Sequence, residues 1–173
     1  IQLYRSFSEI QHVSMKLYAD RLSRALKHEY PSEEITEFVQ DEHLKRLTGI
    51  AALDRRMDRY VRIPRRAARL QGTVNHVVDH AESHLLNHLE PDRTIVTCHD
   101  ILPTVLWQKG IRTMTRHQYW MSVRKIRNLR KAKFVITDSE STRQDLVSLY
   151  GIDESRTVTV NLGVDECFRE SDG

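Results

Sequence analysis

Cysteine is scarce: only Cys98 and Cys167 occur in 173 residues, and Cys98 falls in a run that reads as buried strand. That scarcity argues against a disulfide framework and for a reducing compartment, the cytoplasm. No window approaches the roughly 18 uninterrupted apolar residues that a membrane span requires. The opening Ile1-Gln2-Leu3-Tyr4-Arg5 lacks the basic-then-apolar order of a secretion signal. With no initiator Met, the sequence reads as starting inside a longer chain or after processing. Gly-x-Gly-x-x-Gly and Walker loops are missing, which disfavours a self-contained dinucleotide or triphosphate site. The Gly-x-Ser-x-Gly elbow is missing too, which removes the logic of a serine hydrolase. Neither an internal repeat nor a low-complexity tract is visible.

What is present fits one globular domain, with 39% apolar and 29% charged residues and a formal charge of +3. The cations cluster in Arg62 to Arg69 and in Arg124 to Lys133. Clustered Arg and Lys can meet phosphate on a nucleic acid, an anionic membrane surface or a phosphorylated small molecule. A solvated helix face gives the same pattern. For nucleic acid only the pI near 9.0 and these clusters speak, so nucleic acid is not expected as a partner.

Thr94-Ile95-Val96-Thr97-Cys98 reads as a strand buried on both faces, stopping at the polar pair His99-Asp100, and Pro103 is expected to end regular structure there. Ile1 to Tyr4, Glu34 to Val39, Val74 to Val78, Phe134 to Thr137 and Thr157 to Val160 are the other expected strands. Between them, Val13, Leu17, Tyr18, Leu22, Ala25 and Leu26 mark one face of a helix from Ile10 to Tyr30, closed by Pro31. Residues 41 to 71 read as one or two helices broken before Pro64, because proline disfavours helix in the residue before it. Glu82 to Leu89, Thr113 to Arg130 and a segment capped by Ser139 or Ser141 and stopped at Gly151 supply the remaining helices. Strand and helix alternate about six times, which predicts an α/β Rossmann-like domain: a parallel β-sheet with helices on both faces. Polar residues at the strand ends, Asp79, His80, His99, Asp100, Ser139 and Glu140, should gather along the carboxyl edge, where such sheets bind ligands.

Histidines 76, 80, 84 and 88 recur at intervals of four, a spacing that could align metal ligands on a helix. His76 sits in an expected strand, however, so only His84 and His88 would share a helix face, and no metal site is expected.

Three motifs in register carry a likeness. Val96-Thr97-Cys98-His99-Asp100-Ile101-Leu102-Pro103, Ala132 to Thr142 with Asp145-Leu146 and Tyr150-Gly151, and Val160-Asn161-Leu162-Gly163-Val164-Asp165 with Phe168 resemble the amino-terminal half of GT-B glycosyltransferases, in particular the large retaining family 4. The likeness runs from about Val74 to Phe168, extends to the Ser14-to-Ala19 helix, and leaves Asp41 to Gly72 unmatched. It implies a sugar transferase of two Rossmann-like domains, with residues 1–163 as the acceptor-binding domain and 164–173 as the start of the linker to a donor domain this chain lacks. The resemblance further implies that His99 contacts the donor sugar from the acceptor side and orients the anomeric centre without acting as a conventional base. Asp100, Asp79, His80, Ser139, Glu140 and the first loop, with Ser8 and His12, would line the acceptor pocket. That loop has Glu9-Ile10-Gln11-His12 where Gly-Gly is frequent in the family. The implied partners are a nucleotide-sugar and a sugar or lipid acceptor, met through the missing domain, with no cofactor and no metal. The alternative is a binding module that docks an anionic membrane or a phosphorylated ligand through its basic helix, and is peripheral to the membrane.

Overall fold

The computed structural model of the chain describes residues 1–5, 13–39 and 48–163. Six strands, β1 (Gln2–Arg5), β2 (Thr36–Val39), β3 (Asn75–Val77), β4 (Thr94–Cys98), β5 (Phe134–Thr137) and β6 (Thr157–Thr159), form one sheet in the order β2-β1-β3-β4-β5-β6. Every pairing is parallel. The order reverses between β1 and β3, and a crevice opens at such a reversal.

Adjacent residues of one strand serve two cores, because side chains alternate across a sheet. Leu3 joins Ala19, Ile35 and Val78 on the face covered by α1 (Val13–Glu29). Its neighbour Tyr4 joins the larger cluster on the other face with Val77, Leu85, Val96, Ile126 and Leu146. Leu3 and Tyr4 are both 0% exposed, so each contributes the full burial of its side chain, about 1.5–3 kcal/mol. The larger core is closed by α5 (Arg116–Asn128), through Val123 and Ile126, and by α6 (Glu140–Tyr150), through Leu146 and Tyr150.

Two proline expectations are corrected. The chain is not broken before Pro64: α2 (Ala51–Met57) passes through a π-turn at Asp58–Arg62 into α3 (Ile63–Arg69), with Ile63 itself helical at φ −59°, ψ −50°. Pro64 falls just where hydrogen bonding changes from the wide π register to the α register, so its missing N–H interrupts little. Nor does Pro103 end regular structure. It lies in the first turn of α4 (Leu102–Gln108), where the N–H has no helical partner in any case. Two helices are shorter or tighter than expected. The Thr113-to-Arg130 segment becomes α5 plus a short 3₁₀ turn, with a reciprocal cap between Thr115 and Gln118 fixing its start. The Glu82-to-Leu89 segment is a 3₁₀ stretch, His80–Asn87, kinked at Glu82.

Gly151 ends α6 at φ 60°, ψ 38°, with its N–H on the carbonyls of Leu146 and Val147. A Cβ there would be left-handed and 3.1 Å from Arg130 Nη2, whose guanidinium donates to the Tyr150 carbonyl. Gly151→Ala is expected to destabilise the domain by about 1–2 kcal/mol, read as a lower urea midpoint with unchanged slope.

Candidate functional site

The carboxyl ends of β3, β4 and β5 bring three residues onto one rim. His99 follows β4 and Asp138 follows β5, and since Cys98 pairs with Thr137 the two are neighbours in the register. His99 Nδ1 lies 2.6 Å from Asp138 Oδ2, and Nε2 lies 3.0 Å from the carbonyl oxygen of Val78, just past β3. Tyr18 of α1 packs edge-on against the imidazole, with ring centroids 4.6 Å apart and planes at 81°. The His99 side chain is 8% exposed. Its ring is thus held from three elements in a polar clamp, with an acceptor facing each nitrogen.

The floor beneath the rim is buried and polar. His76 Nε2 lies 2.8 Å from Thr97 Oγ1, and burial, then the nearby His99, pushes the His76 imidazole down to about 4. Burial also pushes the Tyr18 phenol up, and the Cys98 thiol up strongly. Cys98 is therefore a packing residue rather than a nucleophile.

The other expected site residues divide. Asp79 accepts from the Ala81 N–H at 2.8 Å and starts the 3₁₀ stretch, with His80 Nδ1 3.4 Å from its Oδ1. Burial pushes the His80 imidazole below its ordinary value, opposed by Asp79. Asp100 Oδ1 accepts from the Leu102 N–H at 2.6 Å, where α4 begins. Asp100, His80, Ser122 and Lys125 line a cleft of about 170 Å³ next to His99 in the chain. Ser139 follows Asp138 on the same rim and caps α6 through the Thr142 N–H at 3.2 Å. Glu140 turns away: it accepts from Arg143 at 2.9 Å and from Thr159 of β6 at 3.0 Å, on the opposite side of β5 from His99. Ser8 and His12 lie outside the described residues.

Asp138 and Tyr18 were not among the expected site residues. Asp138 carried a usable signal, since it occupies the same first-past-the-strand position as His99 on the adjacent strand. Tyr18 carried none beyond its place on the apolar face of a helix.

Among the described residues no group of three or more His, Cys, Asp or Glu is placed to hold a metal ion. The four-spaced histidines diverge: His76 is in β3, and His84 packs on Tyr60 with centroids 5.5 Å apart. No helix among the described residues is long and apolar enough to cross a membrane.

A six-stranded parallel sheet whose rim carries a clamped imidazole suits several chemistries, and comparison with known families decides among them. Residues 11–167 match the family model described as Glycosyltransferase Family 4. The chain belongs to glycosyltransferase family 4. No curated protein matches it. For a family 4 glycosyltransferase the sheet is the Rossmann-like half of a GT-B fold, and the chemistry is glycosyl transfer. The match spans the Asp41-to-Gly72 segment, for which the sequence motifs offered no support.

Proposed function

We propose that this chain is the acceptor-side domain of a retaining glycosyltransferase, which moves a sugar from a nucleotide-sugar to a sugar or lipid acceptor. The donor is held by a second Rossmann-like domain, and the reaction runs in the cleft between the two. His99 meets the donor sugar at the seam, and Asp79, His80, Asp100, Ser139 and the loop bearing Ser8 and His12 face the acceptor. The observation that carries the reading is the clamp on His99, 2.6 Å from Asp138 and 3.0 Å from Val78. Transfer through an oxocarbenium-like state requires rigidly positioned dipoles where charge develops. A ring whose orientation is fixed at both nitrogens fits that requirement.

In this reading donor phosphates are held by basic side chains of the second domain, so neither metal nor other cofactor is required. The protein works in the cytoplasm, free or at the membrane surface. The test is stereochemical. The isolated chain is expected to transfer no sugar, while the protein that joins it to a donor domain should give product with the anomeric configuration of the donor, read from the anomeric proton by NMR. An inverted product, or transfer by the isolated chain, overturns the reading.

A further inference from the structure

A second cleft, of about 540 Å³, opens between the π-turn joining α2 to α3, the 3₁₀ stretch His80–Asn87, and α5. That volume falls within the roughly 300–1,000 Å³ of small-molecule sites. Its walls are cationic: Arg56 and Arg59 on one side, Arg124 and Lys125 on the other, with His84 and Tyr60 between them. The charges come from three separate segments of the chain, so they converge only on folding.

The balance of charge inside the cleft is unmet. Glu82, a buried carboxylate whose partners Arg59 and His84 line the cleft, lies 3.2 Å from Arg59 and 3.5 Å from His84. Arg56, Arg124 and Lys125 form no ion pair among the described residues. Nε2 of His84, a side chain 11% exposed, is buried with no hydrogen-bond partner among the described residues. A buried polar atom without a partner is destabilising, so its place in a cationic cleft marks a position for a ligand acceptor. Lys125 is pushed below its ordinary value by burial and then by Arg59, against Glu82 and Asp79, and His84 is pushed down to about 4 by burial, opposed by Glu82 and with the Arg59 and Lys125 charges adding to the effect. These cations repel one another, and an anion placed among them would relieve that repulsion.

We propose that this cleft binds the phosphate of a phosphorylated small-molecule acceptor, with Arg56, Arg124 and Lys125 on the phosphate oxygens and His84 Nε2 donating to one of them. Lys125 also lines the smaller cleft beside His80 and Asp100, so a molecule anchored by its phosphate here can extend toward the His99 rim. The assignment of the ligand as the acceptor rests on the glycosyltransferase reading; anion binding at the cleft does not.

Calorimetric titration of the isolated chain at low salt tests it, using inorganic pyrophosphate and a hexose monophosphate as probes. Saturable binding is expected, weakened by added salt because the attraction is electrostatic. Arg56→Ala, Arg124→Ala and Lys125→Gln should each weaken it about tenfold, the loss of one charge-assisted hydrogen bond. Arg127→Ala removes the same charge from an exposed position of α5 outside the cleft and should leave binding unchanged. Absence of saturable binding by the wild type, or equal weakening by Arg127→Ala, overturns the site. Binding to phosphatidylcholine vesicles only when they carry phosphatidic acid, with none to the soluble phosphates, overturns the small-molecule source. No donor or turnover enters the titration, so its failure leaves the stereochemical test untouched, and an inverted product leaves the anion site standing.

Discussion

Replacing His99 by Ala is expected to slow glycosyl transfer by about 10²–10³-fold in the protein that carries this chain with its donor domain, the range for losing one fixed transition-state dipole. The effect should fall on kcat more than on the acceptor's KM, because in the proposed function the ring meets the reacting centre and not the body of the acceptor. The geometry gives a companion expectation. Asp138 lies 2.6 Å from Nδ1, so in the proposed function it is a positioning residue that acts through the ring. Asp138→Ala should cost part of the same rate. Asp138→Asn, which still offers an oxygen to Nδ1, should recover some of it. A purely structural role would instead lower the melting temperature of both variants without separating their turnover at a temperature where both are folded. Unchanged turnover in His99→Ala removes the imidazole from the site.

The strands were legible because their signal is local: β-branched runs such as Thr94 to Cys98 stop at polar residues, and a both-face-buried strand requires nothing else. The rim was partly legible for the same reason, since topology puts the first residues past each strand on one edge, and His99, Asp79, Asp100 and Ser139 are all within two residues of a strand end. Asp138 was passed over because its role depends on the register of β5 against β4, a tertiary fact. Glu140, the first residue of α6, accepts from Arg143 and Thr159, contacts that its place in the sequence did not reveal. The prolines misled because their effect depends on position. Pro64 after a π-turn and Pro103 in a first turn both sit where an N–H is not missed. The cationic cleft could not be read at all, as Arg56, His84 and Arg124 are far apart in sequence and only the packing of the 3₁₀ stretch against α5 joins them.

Acidification should destabilise the domain from beneath the rim, before its carboxylates titrate. His76 is held neutral, its imidazole pushed from 6.5 to about 4 chiefly by burial. Above about pH 6.5 neither the folded nor the unfolded chain protonates it, and it contributes no pH dependence. Between that pH and about 4 the unfolded chain binds a proton that the folded one refuses, so stability falls as pH falls, by about 3 kcal/mol over the window. Below about 4 both states are protonated and the loss from His76 is complete. His84, also pushed down to about 4, acts with the same sign. The carboxylates act lower. Glu37, held down by hydrogen bonds from Ser23 and Arg5 against its own desolvation, and Asp20, held down by Arg5, lose their contribution only as pH drops through and below their usual 4.5 and 3.8. Urea unfolding at about pH 7.5 and about pH 5 therefore isolates the histidines. His76→Gln, whose amide can still reach Thr97, should flatten the slope between those two pH values, while a slope equal to the wild type's would show that the buried imidazole is not its source. His76 bonds Thr97 of β4, the strand that His99 follows, so in the proposed function loss of transfer should accompany loss of stability across that window.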